Sequence, residues 1–369
     1  MRLVEAQNGR DLNRFIEFPY RLYARDPLFV PQLRREMRDL FSPRKNPFFA
    51  HAEAVYFLVE DRGEVVGRVA AILNRRHIEV HGEQAGFFGF YESVDDRAVC
   101  GLLLGAVEDF LRTRGMRAVR GPMNFSTNEE CGFLLEGFDS PPVLMMPYNP
   151  PYYHALMESA GMAKAKDLYA YLHDVQESLP EKALRVAAIA ERRGVRVRPV
   201  DKGRFRDEMK VFKEVYNAAW EKNWGFIPLT DAEIDYMGER LKQIAVPELT
   251  LIAEDGGRPV GFLGLIPDFN VVLRKMGGRL NPLTIAKALY YSRKIPTLRL
   301  LLLGIRPEYR NRGVDALLYR EGFRGIKNGG YRQLEFSWIL EDNIAVQRIV
   351  ELVGGTLYKK YRIYEKPIP

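Results

Sequence analysis

LTLIAEDGGRPVGFLGLI, from Leu249 to Ile266, is two apolar, β-rich runs around an Asp-Gly-Gly turn. That is the pattern of a β-hairpin. VYFLVEDRGEVVGRVAAI, from Val55 to Ile72, reads the same way. Glu60, Asp61, Gly63, Val66 and Gly67 recur as Glu254, Asp255, Gly257, Val260 and Gly261, each 194 positions on. A second echo closes each half of the chain. HALMESAGMAKAKDLYAYL pairs with IVELVGGTLYKKYRIYEK, so that Glu158, Gly161 and Tyr171 recur as Glu351, Gly354 and Tyr364. Each copy there is a short amphipathic helix, a glycine stop and a strand. The chain reads as two copies of one domain.

Between the matched ends each copy carries a longer helix. In the first it runs from about Arg97 to Arg114, with Val99, Leu102, Leu103, Ala106, Val107, Phe110 and Leu111 as its apolar stripe and Gly115 at its end. In the second it starts near Gly313, with Val314, Leu317, Leu318 and Ile326 inward. Thr230 and Glu233 form a capping box before another helix, and Phe205, Met209, Phe212, Tyr216 and Trp220 mark the one preceding it. The order is helices, hairpin, strand, helix, strand, helix, strand. LPEKALRVAAIAERRG, Leu179 to Gly194, reads as a connecting helix. The expected division is a first domain over 1–176, the connecting helix over 177–198 and a second domain over 199–369. The fold class is α/β (α+β), each domain a mixed, mostly antiparallel sheet flanked by helices.

A chain of 369 residues, 47% hydrophobic and 28% charged, suits a folded two-domain protein. No run of 18 apolar residues suggests a membrane span, and MRLVEAQNGRDLNRF lacks the apolar core of a signal peptide, so a cytoplasmic protein is expected. Two cysteines, Cys100 and Cys131, make no disulfide framework. His77 and His81 stand four apart and read as a solvated polar pair; no metal is expected. The net charge of +7 admits anionic partners without choosing one.

GIRPEYRNRGVDALL, Gly304 to Leu318, couples a buried strand (LRLLLLGI) to a helix through Pro307, two arginines and a glycine. Helix N-terminal amides lack intrahelical partners and carry the positive end of the macrodipole. A glycine there lets a phosphate approach the backbone, and Arg310 and Arg312 add charge-assisted donors. The alternatives are a solvated turn and an anion seat, and the order of parts favours the seat.

Here the sequence resembles the GNAT (Gcn5-related N-acetyltransferase) superfamily, whose acyl-CoA loop reads R/Q-x-x-G-x-G/A. Arg310 and Gly313 match its first two fixed positions; Asp315 stands where a small residue is usual, with Ala316 next. The family's later asparagine is matched by Asn343. NPFFAHAEAVYF, GPMNFSTNEE, GFDSPP, PYNPPYY and YRIYEK together resemble tandem GNAT proteins of the bacterial ceramide synthase-like branch. The resemblance implies acyl transfer from acetyl-CoA or a longer acyl-CoA to an amine by direct attack, a sphingoid base being one acceptor. It implies a pyrophosphate seat at Gly304, Ile305, Arg306, Arg310, Asn311, Arg312, Gly313, Val314 and Asn343. The chemistry needs a base on the next strand, where Glu335 is the sole carboxylate, and an acid, for which Tyr358, Tyr361 and Tyr364 are candidates. In copy one Glu92, Asp95 and Asp96 occupy the equivalent place, so that copy is expected not to bind CoA. Its insertion carries Asn124, Ser126, Asn128, Glu129 and Glu130, which either line the acceptor cleft or form a capped surface turn.

Between Asp268 and Glu308 there is no acid, while Arg274, Lys275, Arg279, Lys287, Arg293, Lys294, Arg299 and Arg306 are basic and apolar residues interleave. This segment, 271–299, reads either as a contact with an anionic inner membrane face or as a solvated helix whose charges steer CoA. No nucleic-acid motif is present. Two other functions stay open: a FemABX-like transferase using aminoacyl-tRNA, and a non-catalytic GNAT-fold binding protein.

Overall fold

The computed structural model describes residues 1–175, 178–220 and 223–369. In chain order the elements are β1 (Arg2–Glu5), α1 (Gly9–Leu22), α2 (Arg34–Leu40), β2 (Ala52–Asp61), β3 (Glu64–Asn74), α3 (Arg75–His81), β4 (Ala85–Ser93), α4 (Arg97–Arg112), β5 (Ala118–Gly121), β6 (Phe133–Glu136), α5 (Tyr153–Ser159), β7 (Ala163–Asp174) and α6 (Glu181–Arg192). There follow β8 (Val195–Pro199), α7 (Phe205–Trp220), α8 (Asp231–Lys242), β9 (Thr250–Asp255), β10 (Arg258–Pro267), α9 (Asn270–Met276), α10 (Pro282–Ser292), β11 (Thr297–Ile305), α11 (Val314–Asn328), β12 (Gln333–Leu340), α12 (Ile344–Leu352) and β13 (Thr356–Pro367). No helix of the described residues is long and apolar enough to cross a membrane.

The chain forms two compact units. The first holds Met1–Tyr169, Val272–Leu289 and Lys359–Pro369; the second holds Ala170–Val271 and Tyr290–Tyr358. The expected boundary at 176/177 lies outside the described residues. The connecting helix is α6, which belongs to the second unit and packs along α11. Arg320 of α11 grips the Glu191 carboxylate of α6 through two bonds of 2.9 Å. The final strand, expected to close the second domain, counts from Lys359 onward with the first unit. There it pairs antiparallel with β5 and β6.

In the first unit the strands run β1-β2-β3-β4-β5-β13, antiparallel except that β4 and β5 are parallel. In the second they run β12-β11-β10-β9-β8, with β11 and β12 the parallel pair. The repeat is therefore structural, hairpin for hairpin and strand for strand. Its Val-Gly pair has a packing cause. A Cβ built on Gly67 would stand 2.7 Å from Val99 Cγ1, and one on Gly261 would stand 3.1 Å from Leu318 Cδ1. In both copies the glycine lets the long helix, α4 or α11, lie down on the hairpin.

α4 buries Val99, Leu103, Val107 and Leu111 against Val69, Ala71 and Phe88. Each such side chain contributes about 1.5–3 kcal/mol on leaving water. Leu102, expected in that stripe, is exposed, and Leu104 is buried instead. In the second unit α7 lays Phe212, Val215 and Tyr216 on Ile252 and Phe262. α11 buries Val314, Leu317, Leu318 and Ile326, as its spacing implies. The Thr230–Glu233 capping box is formed. Cys100 and Cys131 are buried and are not joined in a disulfide. His77 is a correction: it is buried, ring against ring with His81 at 4.6 Å, and meets Glu83 at 3.2 Å. The sequence hid this because α3 turns that face onto Phe87 of β4.

Candidate active site

The second unit opens a gap in its sheet. β11 and β12 pair only from Thr297–Gln333 to Leu300–Phe336. β11 then runs on to Ile305 without further pairing to β12. Where they part, the β10–β11 register skips Leu301, a bulge that bends the strand. Leu301, Leu302 and Leu303 are half-buried beyond it. Ligands of open sheets bind at such places, outside the carboxyl ends of parallel strands.

At that end the chain makes a turn, Pro307–Tyr309, and then exposes Arg310, Asn311 and Arg312 in succession. Asn311 and Gly313 both adopt the left-handed region, at φ 59° and 82°. α11 starts with no side-chain cap, and its first turn closes through Leu317 N–H donating to the Gly313 carbonyl at 3.0 Å. The amides of Val314, Asp315 and Ala316 therefore have no intrahelical acceptor. Arg310 Nη2 donates to the Ala219 carbonyl at the end of α7, at 2.8 Å, and the Arg312 guanidinium lies 5.0 Å from the Tyr309 ring. These contacts are at the surface, and both charges stay accessible to an anion.

Arg306 is different. It bonds the Pro259 carbonyl at 2.8 Å and Glu214 at 2.9 Å, so it fastens the loop. Gly313 also departs from expectation. A Cβ built on it would stand 2.8 Å from the Val186 carbonyl oxygen of α6. Its bare face is turned to that helix, and the approach the glycine permits is of α6. Gly304 is bare for a similar reason, with Trp220 Cζ3 2.4 Å from where its Cβ would be. Asp315 is half-buried in the first turn, and its carboxylate adds to burial in pushing the Tyr319 hydroxyl up. Asn343 caps α12, its Oδ1 accepting from Val346 N–H at 3.4 Å.

Glu335 is fully buried on β12. Ser337 Oγ donates to its Oε1 at 2.5 Å, and the Tyr358 hydroxyl donates to its Oε2. Arg299 is its register neighbour on β11 and donates to Ser337 Oγ at 3.0 Å. Period-2 alternation places Glu335 with Ser337, as the sequence implies. Sequence reasoning missed Arg299. It sits among surface bases in the chain, yet it is 2% exposed. Its strand register with Glu335 is the signal, and that register is invisible before the parallel pairing is known. Tyr358 is half-buried and is the least buried member of this network.

The remaining expected residues lie in the first unit. Tyr361 and Tyr364 are buried there. The Tyr364 hydroxyl meets His154 Nδ1 at 2.7 Å, and burial pushes it up to about 12. Burial also holds His154 below its usual range. The insertion after β5 folds into its own turn. Asn124 Oδ1 accepts the Phe90 N–H at 2.7 Å, and Asn124 Nδ2 donates to Glu130 at 3.3 Å. Ser126 Oγ accepts from Asn128 N–H at 3.2 Å, and the Ser126 carbonyl accepts from Glu129 N–H at 3.1 Å. Phe90 lies in the first unit's own strand bulge, where Val69 of β3 faces the pair Phe90–Tyr91. Asn124 thus consumes the amide of that bulge. Nearby, Glu92 accepts from the Tyr153 hydroxyl at 2.7 Å and from Tyr23. Burial pushes its carboxyl up against the opposing pull of Arg68, 3.9 Å away. Asp96 is the N-cap of α4, accepting from Ala98 N–H at 2.7 Å.

No protein-family model matches the chain. It is 36% identical over 373 residues to the bacterial ceramide synthase of Caulobacter vibrioides, covering 99% of this chain and 97% of that one. It is 36% identical over 367 residues to protein YghO of Escherichia coli, covering 98% and 94%. Among solved structures it is similar to a tandem GNAT protein from the clavulanic acid biosynthesis pathway, with a TM-score of 0.60 at 11% identity over 100% of this chain and 98% of that one. A GCN5-related N-acetyltransferase from Sphaerobacter thermophilus gives a TM-score of 0.53 at 16% identity, over 99% and 96%. Two units of one mixed-sheet design, repeated strand for strand, together with relatives of this identity across their whole length, establish that the chain belongs to the tandem GNAT-fold family that includes the bacterial ceramide synthase and YghO.

Proposed function

We propose that this chain is an N-acyltransferase that takes its acyl group from a CoA thioester and passes it to an amine by direct attack. The observation that carries the reading is the gap beyond Leu300–Phe336, set at the foot of an uncapped, arginine-flanked helix start. A CoA thioester supplies an activated acyl carbon and a thiol leaving group. Arg310, Arg312 and the amides of Val314, Asp315 and Ala316 suit its pyrophosphate, since helix N-termini and guanidinium groups both favour phosphate oxygens. Gly304 and Ile305 border the gap, Arg306 and Asn311 shape the turn, and Gly313 seats α6 beside it.

An attacking amine must lose a proton, and the second unit offers the Tyr358–Glu335 pair to take it. Tyr358 is the catalytic residue in this reading, because it is the least buried of the four. Glu335 accepts through it, and Ser337 and Arg299 position the carboxylate. Tyr364 and Tyr361 are packed in the first unit and hold its last strand. Asn124, Ser126, Asn128 and Glu129 serve the turn that fills that unit's bulge.

For the acceptor we propose a lipophilic amine of the sphingoid type, supported by the name of the Caulobacter relative. The test is calorimetric titration of acetyl-CoA and palmitoyl-CoA into the wild type and Arg310→Ala, followed by mass spectrometry of products with sphinganine. Binding that Arg310→Ala weakens about tenfold or more, and an N-acyl product, are expected. Failure of both thioesters to bind overturns the reading in favour of a non-catalytic protein. Binding with no product from sphinganine overturns the acceptor alone.

A further inference from the structure

We propose that α10 is a surface anchor that lays an apolar face into an anionic lipid bilayer. The helix is inside-out by the usual standard of a soluble protein. Successive residues turn by about 100°, so Ile285, Leu289, Ala286, Tyr290 and Leu283 follow one another around one side. All five are exposed, Leu283 at 67% and Leu289 at 60%. Thr284 lies opposite the middle of that arc and is buried. Its hydroxyl donates to the Asn281 carbonyl at 3.0 Å and accepts the Asn281 N–H at 2.9 Å, while Asn281 Oδ1 accepts the Thr284 N–H at 3.0 Å. The polar side chains at the helix start are thus spent on its own cap, and the apolar arc faces outward. Leu280, just before the helix, is exposed too. A contiguous exposed apolar face of this kind marks an interaction surface.

Charge decides the partner. In sequence, Arg274, Lys275 and Arg279 precede the helix, Lys287 lies within it and Arg293 and Lys294 follow it; all six are exposed, and no acid occurs between Asp268 and Glu308. Arg299 and Arg306, in the same stretch, do not join them, since one is buried and the other is tied to Glu214. Bases around an apolar stripe, with the stripe parallel to the surface, match a headgroup layer above acyl chains. The inference is argued from exposure and charge alone and uses no step of the proposed reaction.

The test uses the full chain and sedimentation with vesicles of equimolar phosphatidylglycerol and phosphatidylcholine. The wild type is expected to sediment with them and to stay in solution with phosphatidylcholine alone. Leu283→Glu with Leu289→Glu is expected to weaken binding by about tenfold or more. Both positions are at the surface, so an unchanged melting temperature confirms a folded variant; Lys287→Glu with Arg279→Glu is a second variant with the same expectation. Absence of wild-type binding, or equal binding by both variants, overturns the proposal. So does conversion of a dimer into a monomer by the leucine variant with vesicle binding unchanged, which would assign the face to a second copy.

Discussion

Gly313→Ala separates two accounts of the same residue. In one the glycine keeps a phosphate path open; in the other it lets α6 lie against the start of α11. The structure gives the second account a magnitude. At φ 82° an alanine pays about 1–2 kcal/mol for the left-handed region. Its Cβ would stand 2.8 Å from the Val186 carbonyl oxygen and 2.9 Å from Val186 Cγ1. The methyl can rotate away. The carbonyl belongs to the middle of α6, which is held by the Arg320–Glu191 pair, so relief requires the helix to move. Overpacking of that kind costs about 1–3 kcal/mol. The total is about 2–5 kcal/mol, or a fall in melting temperature of roughly 5–15 °C for a domain of this size. Thermal and urea denaturation followed by circular dichroism would read it. Gly105→Ala is the control: it lies within α4 with open space around its Cβ, and should gain about 0.5–1 kcal/mol from helix propensity. Val186→Ala should rescue Gly313→Ala only slightly, because the carbonyl remains. A Gly313→Ala protein that melts like the wild type but no longer binds acyl-CoA would refute the packing argument.

Other substitutions divide binding, chemistry and stability. Arg310→Ala removes an exposed side chain with one surface bond to Ala219, so stability should change by less than about 0.5 kcal/mol while calorimetry shows acyl-CoA affinity falling about tenfold or more. Tyr358→Phe should cut turnover and leave acyl-CoA titration unchanged; Glu335→Ala should in addition unfold more readily, by about 1–3 kcal/mol for each buried donor it strands. Asn124→Ala orphans the Phe90 amide and should cost about 1–3 kcal/mol in urea denaturation without altering acyl-CoA affinity. Burial holds His77 at about 4 against an ordinary 6.5. The unfolded chain takes up that proton first, so stability present above pH 6.5 should be lost as pH falls towards 4, by as much as about 3 kcal/mol. His77→Phe should flatten that part of the pH–stability curve.

What the sequence exposes and what it hides follow from the range of each interaction. The two copies are legible because hairpins, caps and helix stripes are local, and because Gly67 and Gly261 answer one packing demand twice. The arginine-flanked start of α11 is legible for the same reason. Leu102 and Leu104 are exchanged because residues two apart on a helix lie about 160° from each other, and a broad stripe does not say which edge meets the sheet. His77 and Arg299 look like surface residues by type; only pairing across elements buries them, against Phe87 in one case and beside Glu335 in the other. Tyr364 could be placed on a strand but not in a unit, since its partner His154 lies 210 positions away in sequence.

The two copies also show how one fold loses or keeps a gap. Both place a bulge in the strand before the long helix, at Phe90–Tyr91 and at Leu301. Both let the next parallel strand leave the ladder after a few residues, at Phe87–Arg120 and at Leu300–Phe336. In the first unit the extra chain comes after the parallel strand. It returns at once to the gap: the Met123 N–H donates to the Phe88 carbonyl at 2.8 Å, and the Met123 carbonyl lies 2.0 Å from where a Gly89 Cβ would be. Asn124 then takes the bulge amide. In the second copy of the sequence repeat the extra chain comes before the bulged strand, as α9 and α10, most of which counts with the first unit, and β12 passes to α12 within a few residues. Segment length after the parallel strand, rather than any single catalytic residue, is what distinguishes the filled copy from the one to which we assign the chemistry. The acids of copy one are engaged within their own unit. Glu92 is tied to Tyr23 and Tyr153 beside buried Arg68, and Asp96 caps α4, so the charges that argue against phosphate have structural partners there.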